Sequence, residues 1–284
     1  MAGFLNLNKP LGITAHDCVS RVRKLLRQKQ VGHSGTLDPA ASGVLPIAVG
    51  QATRLLRFLP EGKAYLAKVR FGVVTNSDDL EGEILKQQPC ANLSLAEIEA
   101  LLPQFLGSII QRPPSFSAIS VGGKRLYQLA RAGEMVEAPL RTVEIRKIEV
   151  INWLPGNFPE LDLLIDCGSG TYIRAIARDL GEKLGCGGVL AGLQRTFSNG
   201  FDLTESLTFE QVQPEILIPC DRPISHLPSQ YLSEDQSRRW LQGQQLQQPV
   251  SVQSYNRVYN EKGQFLGIGE QRQDYFCPVV VFPN

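Results

Sequence analysis

The segment Gly32–Leu45 reads GHSGTLDPAASGVL and is the most informative stretch of this chain. Its glycines permit backbone angles that other residues avoid, and Pro39 fixes its own φ and lacks an amide donor. The segment therefore predicts a stiff, unusual loop around one carboxylate, Asp38, with no second acid or histidine pair nearby in sequence. A carboxylate held in this way indicates a nucleophile more than a metal ligand.

Two other interpretations of this loop concern a structural role and phosphate binding. An Asp in a loop rich in Gly and Pro often caps a helix or stabilises a turn through its own backbone, and this alternative to the nucleophile stays open. A phosphate-binding loop would need a Lys-Ser/Thr pair, which the segment lacks, and Asp38 puts a negative charge where the phosphate would lie. The sequence therefore disfavours a phosphate-loop hydrolase.

The composition is that of a globular protein, and 284 residues suit one large domain with or without a small one. No apolar run reaches the length of about 18 residues that indicates a membrane span, and the N-terminus does not resemble a signal peptide. We therefore expect a cytoplasmic protein. The six cysteines form no CxxC pair and the three histidines are not spaced as paired ligands, so we expect no metal site.

The basic residues are clustered, although the formal net charge is only +1. Residues 1–60 carry eight Lys and Arg against two acids, and residues 111–147 carry seven against three. These blocks could build one positive face for a phosphate backbone. A solvated basic surface without a ligand is the alternative, and charge alone does not separate the two.

The apolar periodicity predicts both strands and helices along the chain. We predict strands at 4–8, 44–49, 65–71, 161–166 and from 190 onward, and helices after Thr14, at 52–58, at 94–105 and after Arg174. The composition shifts to Pro, Ser and Gln at 227–233, where we place a domain boundary. Beyond it, a hairpin pattern at 257–270 and a last strand at 279–282 predict a small β-barrel.

Several candidate site residues lie at the ends of these predicted elements. Arg174 follows a Gly-rich turn and would keep Asp38 charged and aimed if the two met, although an Arg at a helix start is more often a surface residue. Tyr65 and Tyr172 lie where an aromatic ring can stack on a planar ligand, with ordinary core tyrosines as the alternative. His33 could act as a base, stack on nucleic acid or cap a turn.

The segment 111–136 opens with Arg-Pro-Pro-Ser, which can continue neither a helix nor a central strand. It carries Lys124 and Arg125 among other basic residues. A long basic loop that starts with proline is commonly functional or mobile, and a plain surface insertion is the alternative.

Residues 32–43 resemble the active-site motif of the TruB family of tRNA pseudouridine-55 synthases. The flanking motifs agree in order: NKPLGIT at 8–14, KAY at 63–65, SA at 117–118, GGKRLY at 122–127 and GTYIR at 170–174. The tail from about Leu227 is similar to the small PUA-type RNA-binding module of bacterial members. The resemblance covers nearly the whole chain. Asn8 replaces a usual Asp and Ser120 a usual Lys, which puts one RNA contact in doubt and leaves the chemistry intact.

The resemblance implies an α+β pseudouridine-synthase fold, with a mixed, largely antiparallel central sheet flanked by helices and loops, plus a small C-terminal β-barrel. It implies a catalytic domain at 1–228, with a mobile thumb at about 111–141, and a PUA-like RNA-binding domain at 229–284. The implied substrate is uridine-55 in the T stem-loop of tRNA. No cofactor, metal, membrane or obligate protein partner is implied, and we expect a monomer.

The resemblance also assigns roles to residues of this chain. Asp38 matches the nucleophile, Arg174 the arginine that pairs with it, and Tyr65 the tyrosine that stacks on the flipped base and takes its C5 proton. The remaining matches are His33 as a contact to the RNA loop, Tyr172 and Leu193 as lining of the uridine pocket, and Lys9, Lys124, Arg125 and Arg141 as RNA contacts. A non-catalytic RNA-binding or tRNA-folding protein on the same scaffold is the alternative function.

Overall fold

Strands and helices mix along the chain, and a large central sheet organises them. The computed structural model describes residues 1–117, 120–121, 123–126, 138–247 and 255–282. The strands in these ranges are β1 (Gly3–Lys9), β2 (Val31–His33), β3 (Ala41–Val49), β4 (Lys63–Phe71), β5 (Val73–Thr75), β6 (Ile84–Gln87), β7 (Gly107–Gln111), β8 (Ser120–Val121), β9 (Lys124–Arg125), β10 (Arg141–Leu154), β11 (Glu160–Cys167), β12 (Gly188–Ser198), β13 (Phe201–Asp202), β14 (Ser229–Leu232), β15 (Leu246–Gln247), β16 (Tyr255–Asn260), β17 (Phe265–Arg272) and β18 (Tyr275–Val281). The α-helices are α1 (Ala15–Leu25), α2 (Leu95–Leu101), α3 (Ile173–Lys183) and α4 (Glu234–Leu241).

The central sheet has the strand order β1-β3-β12-β4-β11-β10-β7, with β2 paired to β3 and β13 paired to β12. Its neighbours are antiparallel except for β3 and β12, which run parallel. The predicted α+β class with a mixed, largely antiparallel sheet is therefore confirmed. This order places β3, β12 and β4 side by side, so that the Asp38 loop, Leu193 and Tyr65 come from adjacent strands.

Strand β3 is buried along most of its length because both of its faces are covered. Val44 and Ala48 pack in one apolar cluster with a 3₁₀ helix at Gly50–Phe58. Leu45 and Ile47 point the other way and pack against α1. A strand covered on both faces appears in sequence as a nearly continuous apolar run, as it does here. The Asp38 loop thus runs directly into a strand that is buried on both faces.

The predicted helices are present, with changes at their ends. The Thr14 hydroxyl accepts from the Asp17 amide at 3.0 Å, and the Asp17 carboxylate accepts from the Thr14 amide at 2.9 Å, which caps α1 as the sequence indicated. The helix predicted at 94–105 is α2 followed by a 3₁₀ helix at Leu102–Phe105. The helix predicted at 52–58 is also of the 3₁₀ type.

The longest strand, β10, was not predicted. It pairs with β11 and β7, and its register with β11 shifts between Ile145 and Lys147 and again between Val150 and Asn152. Each bulge moves the inward-facing side chains by one position. A simple alternation of apolar and polar residues is therefore interrupted along the strand.

The C-terminal residues form a curled five-stranded sheet of order β14-β16-β17-β18-β15, so the hairpin and last strand predicted here are confirmed. Helix α4 was not predicted and covers one face of this sheet. Its Trp240 is fully buried, stacks on Phe276 and donates its indole N–H to the Leu266 carbonyl at 3.2 Å. Ile268 and Val280 lie in the same apolar cluster as β3, so the C-terminal sheet packs directly on the central one.

Candidate active site

Asp38 and Arg174 meet at one cleft, as the family resemblance implied. Arg174 Nη2 lies 2.9 Å from Asp38 Oδ2, and the two side chains are 8% and 45% exposed. The guanidinium is thus buried, whereas the carboxylate is half exposed to solvent. Leu190 and Leu193 line the same cleft, which gives the pair an apolar wall.

Arg174 also binds a second carboxylate, Asp79, which the sequence reasoning missed. Its Nη1 lies 3.4 Å from Asp79 Oδ2 and donates to the Ser77 carbonyl at 3.1 Å. Its Nη2 donates to the Phe116 carbonyl at 3.1 Å. Arg174 therefore bridges two acids, and its orientation is set by four acceptors. The only available signal was an Asp-Asp pair in the polar stretch TNSDDLEG at 75–82.

The two acids differ in what holds them. The Asp79 side chain is 11% exposed, and its Oδ1 accepts from the Ser77 hydroxyl at 2.6 Å and from the Glu81 amide at 3.1 Å. Fixed donors thus occupy Asp79, while Asp38 keeps an open side. The geometry suits Asp79 to orient Arg174 and suits Asp38 to meet a substrate.

Lys9, which we expected to contact RNA, is instead fully buried beneath the loop. Its ammonium donates to the carbonyls of Ala41 at 2.6 Å, Pro10 at 2.9 Å and Pro39 at 3.5 Å. Burial lowers the pKa of Lys9 from its usual value. A side chain without surface exposure cannot reach a phosphate backbone, so we correct this expectation and assign Lys9 to the support of the loop.

Arg195 holds the other end of the loop and was also missed as a site residue. It is fully buried, and its guanidinium donates to the carbonyls of Val44 at 2.7 Å, Gly35 at 3.0 Å and Thr36 at 3.5 Å. Its positive charge also lies near the Tyr65 hydroxyl and works against the rise that burial causes in the pKa of that group. Arg195 thereby links the loop to the tyrosine. Its place on β12, two residues after Leu193, was the signal that could have indicated this.

Tyr65 lies on β4 opposite Arg195 and is 6% exposed. Burial raises the pKa of its phenol, and the positive charge of Arg195 works in the opposite direction. The phenol is therefore neutral near neutral pH, with a cation at hand to stabilise a phenolate.

Glycines in the loop are required by close approach. Gly43 has φ +104°, and a Cβ there would collide with the Arg195 carbonyl across the parallel β3–β12 pair. Gly35 has φ +74°, and its Cβ would lie 3.2 Å from Arg195 Nη1. The stiff loop predicted from the glycines thus has a physical cause: it packs directly against Arg195.

Tyr172 precedes α3, and its backbone is fixed by a single side chain. The Gln111 amide donates to the Tyr172 carbonyl at 3.0 Å and accepts from the Tyr172 N–H at 2.8 Å. Because Tyr172 lies two residues before Arg174, this clamp ties the end of β7 to the start of the helix that carries Arg174.

His33 lies on β2 at the start of the loop, where its Nδ1 is buried without a hydrogen-bond partner. Burial lowers the pKa of this imidazole, and the charge of Arg195 lowers it further. Arg141 is exposed at the start of β10, opposite Gln111.

The other predicted thumb contacts fall partly outside the described ranges. The backbone of Lys124 and Arg125 forms β9, which pairs with β8. Residues 118–119, 122 and 127–137 of the predicted thumb lie outside the described residues. The ends of the thumb, 111–117 and 138–141, are described and lie beside α3 and β7.

Three general features complete the description of the molecule. Within the described ranges, no helix is long and apolar enough to cross a membrane. Across the same residues, no group of three His, Cys, Asp or Glu side chains is placed to hold a metal ion. All six cysteines are free thiols.

Family models match almost the whole chain. The model described as TruB family pseudouridylate synthase (N terminal domain) matches residues 23–173. The model for the tRNA pseudouridylate synthase B C-terminal domain matches 174–222, and that for the C-terminal part of pseudouridine synthase II TruB matches 228–275.

Individual proteins agree with this match. The proteins named tRNA pseudouridine synthase B from Nostoc sp. and Gloeothece citriformis are 55% and 56% identical to this chain, over 99% and 95% of its length and 99% and 91% of theirs. A solved structure of an H/ACA RNP bound to a substrate RNA containing 2'-deoxyuridine has the same fold, with a TM-score of 0.72 at 22% identity over 99% of this chain and 85% of that one. The chain belongs to the TruB family of pseudouridylate synthases.

Proposed function

We propose that this chain converts uridine-55 in the T loop of tRNA to pseudouridine, with Asp38 as the nucleophile. The relatives named tRNA pseudouridine synthase B support tRNA as the substrate. The observation that carries the proposal is the half-exposed Asp38 carboxylate, paired with Arg174 and open to a cleft lined by Leu190 and Leu193. The buried Tyr65 lies in the same apolar cluster as Leu190.

The target base must leave the RNA stack before it can reach Asp38. Extrusion of a base costs a few kcal/mol and is easiest in an RNA loop. The cleft between Leu193 and Arg174 receives the extruded uracil, which stacks on Tyr65 and lies near Tyr172. His33 contacts the RNA next to the vacated position, and its lowered pKa favours a neutral ring suited to stacking.

The reaction exchanges one bond of the uracil for another. Asp38 acts first, at the sugar or at the uracil ring, and the bond between N1 and C1′ breaks. The base rotates within the cleft, and C5 then bonds to C1′. C5 loses its proton and N1 gains one, so the product is an isomer of the substrate and the reaction needs no co-reactant.

Tyr65 takes the proton that C5 releases, or passes it on. Because its phenol is neutral, Tyr65 accepts the C5 proton only as its own proton passes to water or to N1 of the base, and the positive charge of Arg195 stabilises the phenolate character that develops. The buried Arg195 thus serves two purposes, because it also holds the loop that carries Asp38.

The remaining surface serves RNA binding. We propose that 1–228 forms the catalytic domain and 229–284 a PUA-like RNA-binding domain. Arg141, Lys124 and Arg125 contact the phosphates of the T stem-loop. The protein acts as a monomer in the cytoplasm, without a cofactor or an obligate protein partner.

Release of tritium from tRNA labelled at uridine C5 tests the proposal. The wild-type protein should release label from unmodified tRNA and from an isolated T stem-loop, and it should release none from a labelled tRNA in which cytidine replaces uridine-55. Saturable RNA binding without release would instead favour the non-catalytic RNA-binding or tRNA-folding alternative. Release that survives the cytidine replacement would overturn the assignment of position 55.

A further inference from the structure

Arg178 forms a second arginine–aspartate pair, one turn along α3 from Arg174, and the proposed chemistry makes no use of it. Its Nη1 lies 2.7 Å from Asp78 Oδ2, and its Nε donates to Asp179 Oδ1 at 2.8 Å. The side chains of Arg178 and Asp78 are 23% and 12% exposed, so the pair is largely removed from water. Because residues four apart share one face of a helix, Arg174 and Arg178 extend in the same direction.

The two arginines bind consecutive acids of the β5–β6 loop. Asp78 pairs with Arg178, and Asp79 pairs with Arg174. Consecutive side chains of an extended chain point to opposite sides, yet both of these acids reach α3. The cause is the backbone of Asp78, whose φ of +64° lies in the left-handed region that residues other than glycine rarely adopt. The Leu190 amide donates to the Asp78 carbonyl at 3.0 Å and fixes this conformation.

The same arginines hold the start of the predicted thumb. Arg178 Nη2 donates to the Arg112 carbonyl at 2.8 Å, and Arg174 Nη2 donates to the Phe116 carbonyl at 3.1 Å. Each guanidinium thus joins one acid of the β5–β6 loop to one carbonyl of residues 112–116. Two parallel sets of contacts result, one through Arg178 and one through Arg174, and only Arg174 also binds Asp38.

We propose that Arg178 and Asp78 form a positioning pair that aligns residues 112–116 and Arg174 with Asp38. The proposal rests on the proposed function, because alignment matters only if Asp38 reacts. Arg178 touches no reacting atom. Removal of the Arg178 guanidinium frees the β5–β6 loop and residues 112–116 to shift. Because Arg174 binds both segments, Arg174 shifts with them. A misplacement of about 1 Å can lower the rate of a positioned reaction on the order of 100-fold.

Variants of the pair test this through kcat rather than through RNA affinity. Arg178→Met should lower kcat for tritium release by about 10- to 100-fold, with little change in KM. Arg178→Lys keeps the charge but loses the forked donor geometry, so it should recover only part of kcat. Asp78→Asn should also lower kcat, and the double variant should lose no more than Arg178→Met alone, since the pair acts as a unit.

Arg70→Met is the matched control. Arg70 makes a two-point contact with Glu160, at 2.6 and 2.8 Å, at the far end of β4 from Tyr65. Its loss should leave kcat unchanged. If Arg178→Met lowers the melting temperature but keeps the wild-type kcat, the pair is a stability feature and the proposal is overturned.

Amide hydrogen exchange separates this proposal from the proposed function. Wild-type protein that releases no tritium would overturn the function, but the pair can still be judged. Arg178→Met should raise exchange at amides between 111 and 117 and between 76 and 80, relative to wild type and to Arg70→Met. Unchanged exchange in both segments would overturn the positioning role, whether or not the protein is active.

Discussion

Two loops meet at Arg174, and they differ in whether their own carboxylates hold them in place. The Asp38 loop is held through its backbone, because the buried cations Lys9 and Arg195 donate to its carbonyl oxygens. The Asp79 loop is held through its carboxylates, which bind arginines of α3, in addition to hydrogen bonds that Leu190 and Arg174 donate to its carbonyl oxygens. Both loops are anchored at several points, but the buried cations that anchor the first loop bind its backbone and leave the Asp38 carboxylate half exposed.

This difference decides which acid is available to a substrate. Asp38 is 45% exposed and is oriented by Arg174, whereas Asp79 is 11% exposed and accepts from a hydroxyl and an amide as well. Lone pairs engaged by fixed donors are withdrawn from reaction with a substrate. A backbone-held loop therefore presents a reactive acid, and a loop held by its carboxylates positions other groups.

The largest effect is expected from Asp38 itself. Asp38→Asn keeps the shape of the side chain but removes the proposed nucleophile, so tritium release should fall by at least about 10³-fold. RNA affinity should change little, because the substituted carboxylate is a single anion among the RNA contacts. Asp162→Asn is the control and should keep wild-type activity, because Asp162 pairs with Lys68 across β11 and β4 and does not contact Asp38 or Arg174. Wild-type tritium release by Asp38→Asn would contradict the nucleophile assignment. It would also contradict the inference that the Asp38 loop, rather than the Asp79 loop, presents the reacting acid.

Replacement of Asp79 should have a smaller effect on the same reaction. Asp79→Asn weakens a hydrogen bond to a charged group, worth about 1.5–3 kcal/mol, so kcat should fall about 10- to 100-fold. Arg174 keeps its contacts to Asp38 and to two carbonyls, which is why some activity should survive. A loss as complete as that of Asp38→Asn would mean that Asp79 takes part in the chemistry directly.

The sequence predicted the first loop better than the second for a physical reason. Glycines, a proline and one acid within a few residues determine the Asp38 loop locally, and its partner Arg174 lies in an equally distinctive stretch. The position of Asp79 depends on the left-handed backbone of Asp78 and on a hydrogen bond from Leu190, more than 100 residues away in sequence. No local pattern records such a contact.

The same reasoning explains the error at Lys9. A lysine before a proline at the end of a predicted strand is typical of a solvated surface. Only the pairing of β1 with β3, which sets Lys9 opposite Gly43, places its ammonium beneath the loop. The predicted strands and helices follow from apolar periodicity, which is local, and the fold class followed from the family resemblance. Strand β10 was missed because its bulges interrupt that periodicity.

Lys9→Met should affect stability rather than RNA binding. It removes the donor shared by the carbonyls of Ala41, Pro10 and Pro39, but it also removes a buried charge, so we expect a loss of about 1–3 kcal/mol in the free energy of unfolding. Urea unfolding measures this loss. The salt dependence of tRNA binding should stay unchanged. Arg141→Gln should do the opposite, with unchanged stability and a slope of log K against log salt reduced by about 0.7–0.9 for one lost phosphate contact. A reduced salt slope of tRNA binding in Lys9→Met would mean that Lys9 contacts a phosphate of the RNA after all.

The smallest effect concerns His33, at the start of the backbone-held loop. Burial, aided by the charge of Arg195, lowers its pKa below the usual value of about 6.5. In the window between the lowered folded pKa and the unfolded one, the unfolded chain binds more protons, so this histidine makes stability rise as pH increases toward about 6.5. Above that window its contribution is constant. His33→Gln should therefore show a smaller gain in unfolding free energy between pH 5.5 and pH 7.5 than wild type, measured by urea unfolding at each pH. An equal or larger gain would mean that His33 is protonated in the folded protein at pH 5.5, and that the start of the Asp38 loop is open to water rather than packed against Arg195.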